Sequence, residues 1–196
     1  MEHPDLISPG NRSCSLAEIH RGLQIPANYA ADRGLSPQAE AAASDLVVIG
    51  TSDTGQPIRL TTESATAWQS LQDSAAQMGI TLVPISGFRS IARQAEIIRE
   101  KLRAGHQLEA ILRFVAAPGF SEHHTGRAID FGSPEQIELD EGFAQTAAYR
   151  WLEAHAGSFG FHLSYPRGNH YGIGFEPWHW CWHSELPRPR SPSVLN

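Results

Sequence analysis

The sequence predicts an α+β domain in which a small, mostly antiparallel sheet is flanked by helices. Short apolar runs of strand length alternate with segments whose apolar residues repeat at helical spacing, and Gly, Pro and Asp punctuate the boundaries between them. The 196 residues suit one compact domain with a sizeable core. A content of 41% hydrophobic and 18% charged residues is that of an ordinary globular chain.

Residues 1–44 read as an N-terminal helical extension that wraps over the domain surface. Ser15 and Glu18 have capping-box spacing, in which each side chain satisfies a free backbone amide of the other. Ser36-Pro37 is a second helix start, with proline at the first helical position. Residues 45–186 form the domain proper. Leu46 to Ile49 and Ile58 to Leu60 flank a polar stretch with Asp53 and Gly55 and read as a strand pair.

Residues 62–78 are helical and stop at Gly79. Ile80 to Ile85 is a strand that Pro84 pushes to a sheet edge. Ser90 caps a helix with apolar Ile91, Ala95, Ile98 and Leu102, closed by Gly105. A short helix covers 107–115, Arg127 to Phe131 is a strand, and residues 141–156 form an amphipathic helix ending at Gly157. Phe161 to Leu163, Tyr171 to Gly174 and Trp178 to Trp182 supply the last strand-like pieces. Residues 187–196 are a flexible, proline-rich tail.

Composition excludes several classes of function. The formal charge of -6, from 15 basic and 21 acidic residues without a basic cluster, gives no footprint for nucleic acid. Two cysteines, Cys14 and Cys181, are too few for a disulfide framework or a thiolate zinc cluster, and sequence leaves open whether they pair. The N-terminus lacks the basic segment and apolar run of a secretory signal, and no stretch reaches the ~20 apolar residues of a membrane span. The expectation is a soluble, cytoplasmic monomer.

The chemistry concentrates in one region. Seven of the ten histidines lie between residues 123 and 183. Two segments there carry the residue types of a hydrolytic metal site: Ser121-Glu-His-His-Thr-Gly126-Arg-Ala-Ile-Asp130 and Glu176-Pro-Trp-His179. Two imidazoles and one carboxylate are the ligand count of catalytic zinc, which keeps one position open for water. Zinc lowers the pKa of that water to ~7, so a nearby carboxylate can finish the deprotonation, and Glu176 stands three residues before a candidate ligand. Positions i and i+3 face opposite sides of a regular strand, so Glu176 and His179 need a bend between them, and Pro177 makes one plausible.

Plainer readings stand beside these. Asp130 taken alone suits a turn or an ion pair, Glu176 a solvated loop, and Arg89 a surface helix start. His123 and His124 are adjacent, so one of them faces a metal and the other is a surface or outer group. Trp178, Trp180 and Trp182 alternate with His179, Cys181 and His183, so one set faces the core and the other a cleft or solvent. Cys181 reads as a small buried thiol and His183 as a surface imidazole.

Ser-x-His-x-x-Gly-x-Ala-x-Asp followed by Glu-x-Trp-His resembles the D-alanyl-D-alanine carboxypeptidases of the VanY type. These belong to a wider group that includes lysostaphin-like enzymes and the hedgehog signalling domain. Ser86-Gly-Phe-Arg-Ser90 resembles a third motif of that family, with Gln94 at the family's spacing after Arg89. The likeness covers roughly residues 80–182 and implies a hedgehog/DD-peptidase-like fold whose sheet bears the zinc site.

It further implies His123, Asp130 and His179 as ligands of one Zn2+ per chain, the register of Gly126 and Asp130 selecting His123 over His124. Glu176 becomes the general base, and Arg89 the group that binds a substrate carboxylate or polarises the scissile carbonyl. Ser121, Gln94, Trp178 and Tyr165 line the substrate cleft. Ser164-Tyr165-Pro166 departs from the family's Arg-Tyr-Pro, which bears on recognition of the terminal carboxylate.

The implied reaction is removal of the C-terminal D-Ala from peptidoglycan stem peptides. Hydrolysis of an L,D-bond, endopeptidase action, or a zinc-binding domain without catalysis are the alternatives. Glu176 beside His179 speaks against the last, and action on a wall requires export or release.

Overall fold

The computed structural model describes residues 15–184; Cys14 and the expected tail 187–196 lie outside them. Two short helices open the chain, α1 (Leu16–Leu23) and α2 (Tyr29–Arg33). A hairpin of β1 (Leu46–Thr51) and β2 (Pro57–Thr61) follows, then α3 (Thr62–Gln77). Next come β3 (Val83–Ser86), α4 (Ile91–Arg103), α5 (Leu108–Ile111) and β4 (Ala128–Gly132). The last elements are α6 (Ala147–His155), β5 (Phe161–Leu163) and β6 (His179–Trp182). Among the described residues no helix is long and apolar enough to cross a membrane.

β3, β4, β6 and β5 lie side by side in that order, every pair antiparallel. β4 is interior and buried along its whole length, as its nearly unbroken apolar sequence requires. β3 is an edge strand, the place where Pro84 costs no ladder hydrogen bond. Alternation along β4 and β6 sorts their side chains. Ile129 pairs with Trp180 on the face covered by α3 and α6, where Trp68, Leu71, Phe131, Phe161 and Leu152 complete the main core. Asp130 pairs with His179, and Ala128 with Cys181, on the opposite face. Trp180 therefore separates from His179 as the spacing predicts, while Trp178, in the turn before β6, also reaches the cleft.

A second core joins the N-terminal arm to α4 and α5 through Leu23, Tyr29, Ala95, Ile98 and Leu112. The Ser15–Glu18 capping box is formed. Ser36-Pro37, however, starts no helix. Residues 35–42 form neither helix nor strand, and the arm's amides bond to the domain instead: Gln38 N–H donates to Gly119 O at 2.8 Å and Ala41 N–H to His124 O at 2.8 Å.

Four further expectations change. Residues 141–156 do not form one helix: a 3-10 turn over Glu141–Gln145 breaks at extended Thr146, whose hydroxyl caps α6 by accepting from Tyr149 N–H. Tyr171 to Gly174 is loop rather than strand, with Gly174 N–H donating to Arg113 O. β3 starts only at Val83, and α5 ends at Ile111, so the segments 80–85 and 107–115 are trimmed.

Gly126 shows why the motif spacing demands glycine. It ends the 3-10 turn Glu122–Thr125 with φ at 65°, and a Cβ there would lie 2.8 Å from Leu46 Cδ2 and 3.1 Å from Thr61 Cγ2. Gly126→Ala combines a left-handed backbone with a clash and is expected to lower stability by about 1–3 kcal/mol, read from a urea midpoint shift at unchanged slope.

Candidate metal centre

Strand register assembles the site. Ser86 on β3, Asp130 on β4 and His179 on β6 stand in one cross-strand row, so residues 93 positions apart become neighbours. His123 enters the row from the 3-10 turn before β4. Its Nδ1 lies 2.6 Å from Gly87 O. A carbonyl only accepts, so Nδ1 carries the proton and bare Nε2 faces Asp130 Oδ2 at 3.2 Å. Gly87 is itself packed against β2, where a Cβ would sit 2.5 Å from Arg59 O.

His179 Nδ1 lies 2.9 Å from Asp130 Oδ1, and its Nε2 lies 2.9 Å from Glu122 Oε2. One ligand atom from each of His123, Asp130 and His179 falls within 4.8 Å of the others, and all three side chains are buried. Two donors about 2.0–2.1 Å from a tetrahedral zinc are roughly 3.4 Å apart, so this cluster fits that ion in donor chemistry and in span.

The bend ahead of His179 is present. Its amide donates to Glu176 O at 3.0 Å, closing a turn over Pro177 and Trp178 that brings Glu176 and His179 to the same cleft. Glu176 is 5% exposed. Arg89 emerges at the end of β3 beside this cleft, where Nη1 donates to Gln94 Oε1 at 3.0 Å and Nη2 to Ser86 Oγ at 3.1 Å. Asp130 Oδ2 lies 3.8 Å from Nη2.

Gln94 is itself buried, and its Nε2 donates to Ala116 O at 2.6 Å. One end of its amide thus accepts from Arg89 while the other is anchored to the main chain. Tyr165 stacks on His179 with ring centroids 5.1 Å apart. Ser121, Tyr165 and Trp178 line the same cleft of about 260 Å³ as the three metal-ligand candidates. Every residue singled out in the sequence for this site reaches it.

His124 is fully buried rather than a surface group. Its Nδ1 donates to Arg89 O at 2.6 Å and its Nε2 accepts from Gly119 N–H at 3.0 Å, so it pins the Arg89 loop to the His123 loop. Sequence reading passed over Glu122 and the Ser86 hydroxyl. Glu122 sits inside the first motif, but its partner His179 is 57 residues away, and no local signal marks it.

Electrostatics follow from burial and crowding. Burial pulls His123 down to about 4, against the opposing pull of Asp130, so its imidazole is neutral. Burial also opposes charge on His179, yet the hydrogen bonds it donates to Asp130 and Glu122 and their charges outweigh it and push this imidazole up to about 10. Burial would raise Asp130 and Glu122 as well; their histidine partners hold both below the usual carboxylate range. Glu176, which burial pushes up to about 8 with His179 and Arg89 opposing, is poised to hold or release a proton near neutrality.

With a carboxylate oxygen 2.9 Å from each ring nitrogen, His179 favours its doubly protonated form, and a metal binding at Nδ1 would displace that proton. At pH 7 zinc uptake is expected to release at least about one proton per ion, and apparent affinity rises with pH until His179 ionises near 10. Calorimetric titration in buffers of different ionisation enthalpy measures this directly. Equal apparent enthalpies in all buffers would show that no such proton exists.

The VanY family, described as D-alanyl-D-alanine carboxypeptidase, matches residues 57–185. YodJ of Bacillus subtilis is 30% identical over 167 residues, spanning 84% of this chain and 58% of that protein. A D-alanyl-D-alanine carboxypeptidase of Enterococcus faecalis is 34% identical over 125 residues, 57% of this chain and 44% of that one. The chain thus spans only about half the length of these two relatives.

Among solved structures, the LdcB LD-carboxypeptidase superposes with a TM-score of 0.64 at 29% identity, over 76% of this chain and 74% of that one. VanYB in complex with D-alanine-D-alanine gives 0.57 at 27% identity, over 75% and 81%. A VanY D,D-pentapeptidase in complex with Zn(II) gives 0.55 at 27% identity, over 74% and 83%.

Proposed function

The chain belongs to the VanY D-alanyl-D-alanine carboxypeptidase family, and from that premise we propose that it is a zinc-dependent D,D-carboxypeptidase that removes the C-terminal D-Ala of peptidoglycan stem peptides. The observation that carries this reading is the convergence of His123, Asp130 and His179 with Glu176 and Arg89 on one cleft. A structural zinc site has no use for an uncommitted buried carboxylate beside its ligands. On the same reading the protein is a monomer that takes a peptide rather than a nucleic acid.

His123 Nε2, an Asp130 oxygen and His179 Nδ1 would hold the ion. When bound, zinc supplies Lewis acidity for the scissile carbonyl and acidifies water to a pKa of ~7. Glu176 does the proton work: its carboxylate takes a proton from the attacking water and hands it to the departing D-alanine amine. Its raised affinity for protons, about 8, suits both halves of that transfer.

Arg89 offers guanidinium donors fixed by Ser86 and Gln94, aimed at the substrate carboxylate or the developing oxyanion. Holding the fork rigid before substrate arrives spares its ordering cost at the moment of reaction. Trp178 and the stacked Tyr165 wall the cleft, and Ser121 adds a hydroxyl.

Cleavage of an L,D-bond is the second reading, since an LD-carboxypeptidase is among the solved structures that superpose on the chain. Incubation with defined tri-, tetra- and pentapeptide stems, followed by mass spectrometry, separates the two. The D,D reading expects loss of one alanine from the pentapeptide, abolished by a chelator and restored by zinc. Loss of alanine from the tetrapeptide alone installs the L,D reading, and intact stems of every length reject both.

A further inference from the structure

Glu122 lies outside the set of residues assigned above, yet its carboxylate Oε2 lies 2.9 Å from His179 Nε2. The same imidazole presents Nδ1 to Asp130. His123 is arranged the opposite way, with Nδ1 spent on Gly87 O and Nε2 turned inward. The two ligand histidines thus approach the centre through different ring nitrogens, and each needs its own outer acceptor to hold the required tautomer. For His123 a main-chain carbonyl does this; for His179 the acceptor is a charged side chain. An ionised carboxylate only accepts, so Glu122 obliges Nε2 to carry the proton and leaves Nδ1 free for an ion.

A second cavity, about 140 Å³, opens beside Glu122 between the N-terminal arm and the loop after β5, lined by Glu122, Phe120, Tyr165, Tyr171, Leu35 and Ser36. The His179 ring is clamped from several directions: Asp130 and Glu122 at its two nitrogens, Tyr165 stacked on its face, and His123 edge-on with centroids 4.9 Å apart.

We propose that Glu122 is the positioning residue of the metal centre, fixing His179 as an Nδ1 ligand and raising its donor strength. The inference rests on the zinc reading above and goes beyond it by assigning the group that selects the ligand atom. Outer partners of this kind typically contribute 10–100-fold to metal affinity. An oriented imidazole also gives up less rotational freedom when the ion arrives.

The test is zinc affinity by competition with a chromogenic chelator, for wild type, Glu122→Gln and Glu122→Ala. Wild type must bind zinc for the functional reading to stand, so a failure there is separate from a failure of this inference. Glu122→Ala is expected to bind zinc about 10–100-fold more weakly, and Glu122→Gln, whose amide oxygen still accepts from Nε2–H, to lose less.

The cavity gives a readout that loss of packing alone would not move. With the side chain removed, formate can occupy its place against Nε2, so formate is expected to restore zinc affinity in Glu122→Ala while leaving wild type unchanged. Long-range ¹H–¹⁵N correlation on zinc-loaded wild type is expected to show His179 protonated at Nε2, and needs no variant to fold. Protonation at Nδ1 instead, or zinc affinity in Glu122→Gln and Glu122→Ala within about twofold of wild type, overturns the proposal.

Discussion

Glu176→Ala is expected to reduce hydrolysis of the stem peptide by about 10²–10⁴-fold while zinc content stays near one per chain, the span covered by removal of a positioned general base. Glu176 reaches the cleft through the turn before His179, and its backbone is anchored separately, with its amide donating to Tyr165 O at 3.1 Å. Truncating the side chain therefore leaves the loop and the three ligand candidates in place. The metal-free variant should be at least as stable as wild type at neutral pH, since the native carboxyl, pushed up to about 8, is paid for in desolvation.

The sign follows from linkage. A carboxyl whose native pKa lies above its unfolded value loses stability as pH rises from the unfolded pKa of 4.5 towards 8, and alanine removes that loss. The measurements are turnover by mass spectrometry, metal by atomic absorption, and denaturant midpoints at pH 5 and pH 7. Unchanged hydrolysis in this variant would remove the proposed mechanism.

Asp130→Ala is expected to have the larger effect on the protein itself. Asp130 contacts both histidines, at 3.2 and 2.9 Å, and lies 3.8 Å from Arg89 on the interior strand of the sheet. On the proposed zinc reading its loss removes a ligand, and the zinc affinity lost should exceed the roughly 100-fold ceiling for outer partners. It also strands buried positive charge, for which removal of one partner costs about 3–5 kcal/mol.

The metal-free variant should therefore unfold at distinctly lower urea than wild type. His179, deprived of its first-row acceptor, should titrate below its native value of about 10. Asp130→Asn keeps the shape and separates the two effects, sparing packing while still losing zinc. Normal zinc affinity in Asp130→Asn would show that the ion sits elsewhere.

Much of the site was legible in the chain because its residues occur in compact motifs with physical causes. Gly126 is needed where the backbone turns left-handed under Leu46, Asp130 interrupts an otherwise apolar strand, and Pro177 marks the bend into His179. Alternation along residues 178–182 separated core tryptophans from site histidine. Where helix starts were read from caps alone, the result depended on what else wanted the backbone. Ser15 capped α1, with its hydrogen bonds satisfied locally, while Ser36-Pro37 lost its helix to the amides that the arm donates to Gly119 and His124.

The amino-acid sequence by itself determined the family, the donor types and their order along the chain, because those reside in local spacing. Only the tertiary structure decided that Ser86, Asp130 and His179 share one row, that His124 is a buried staple, and that Glu122 stands behind His179. Strand register and long-range hydrogen bonds join positions 35 to 57 residues apart in these last contacts. Such pairings are set by burial of the whole sheet, and nothing in the flanking residues encodes them.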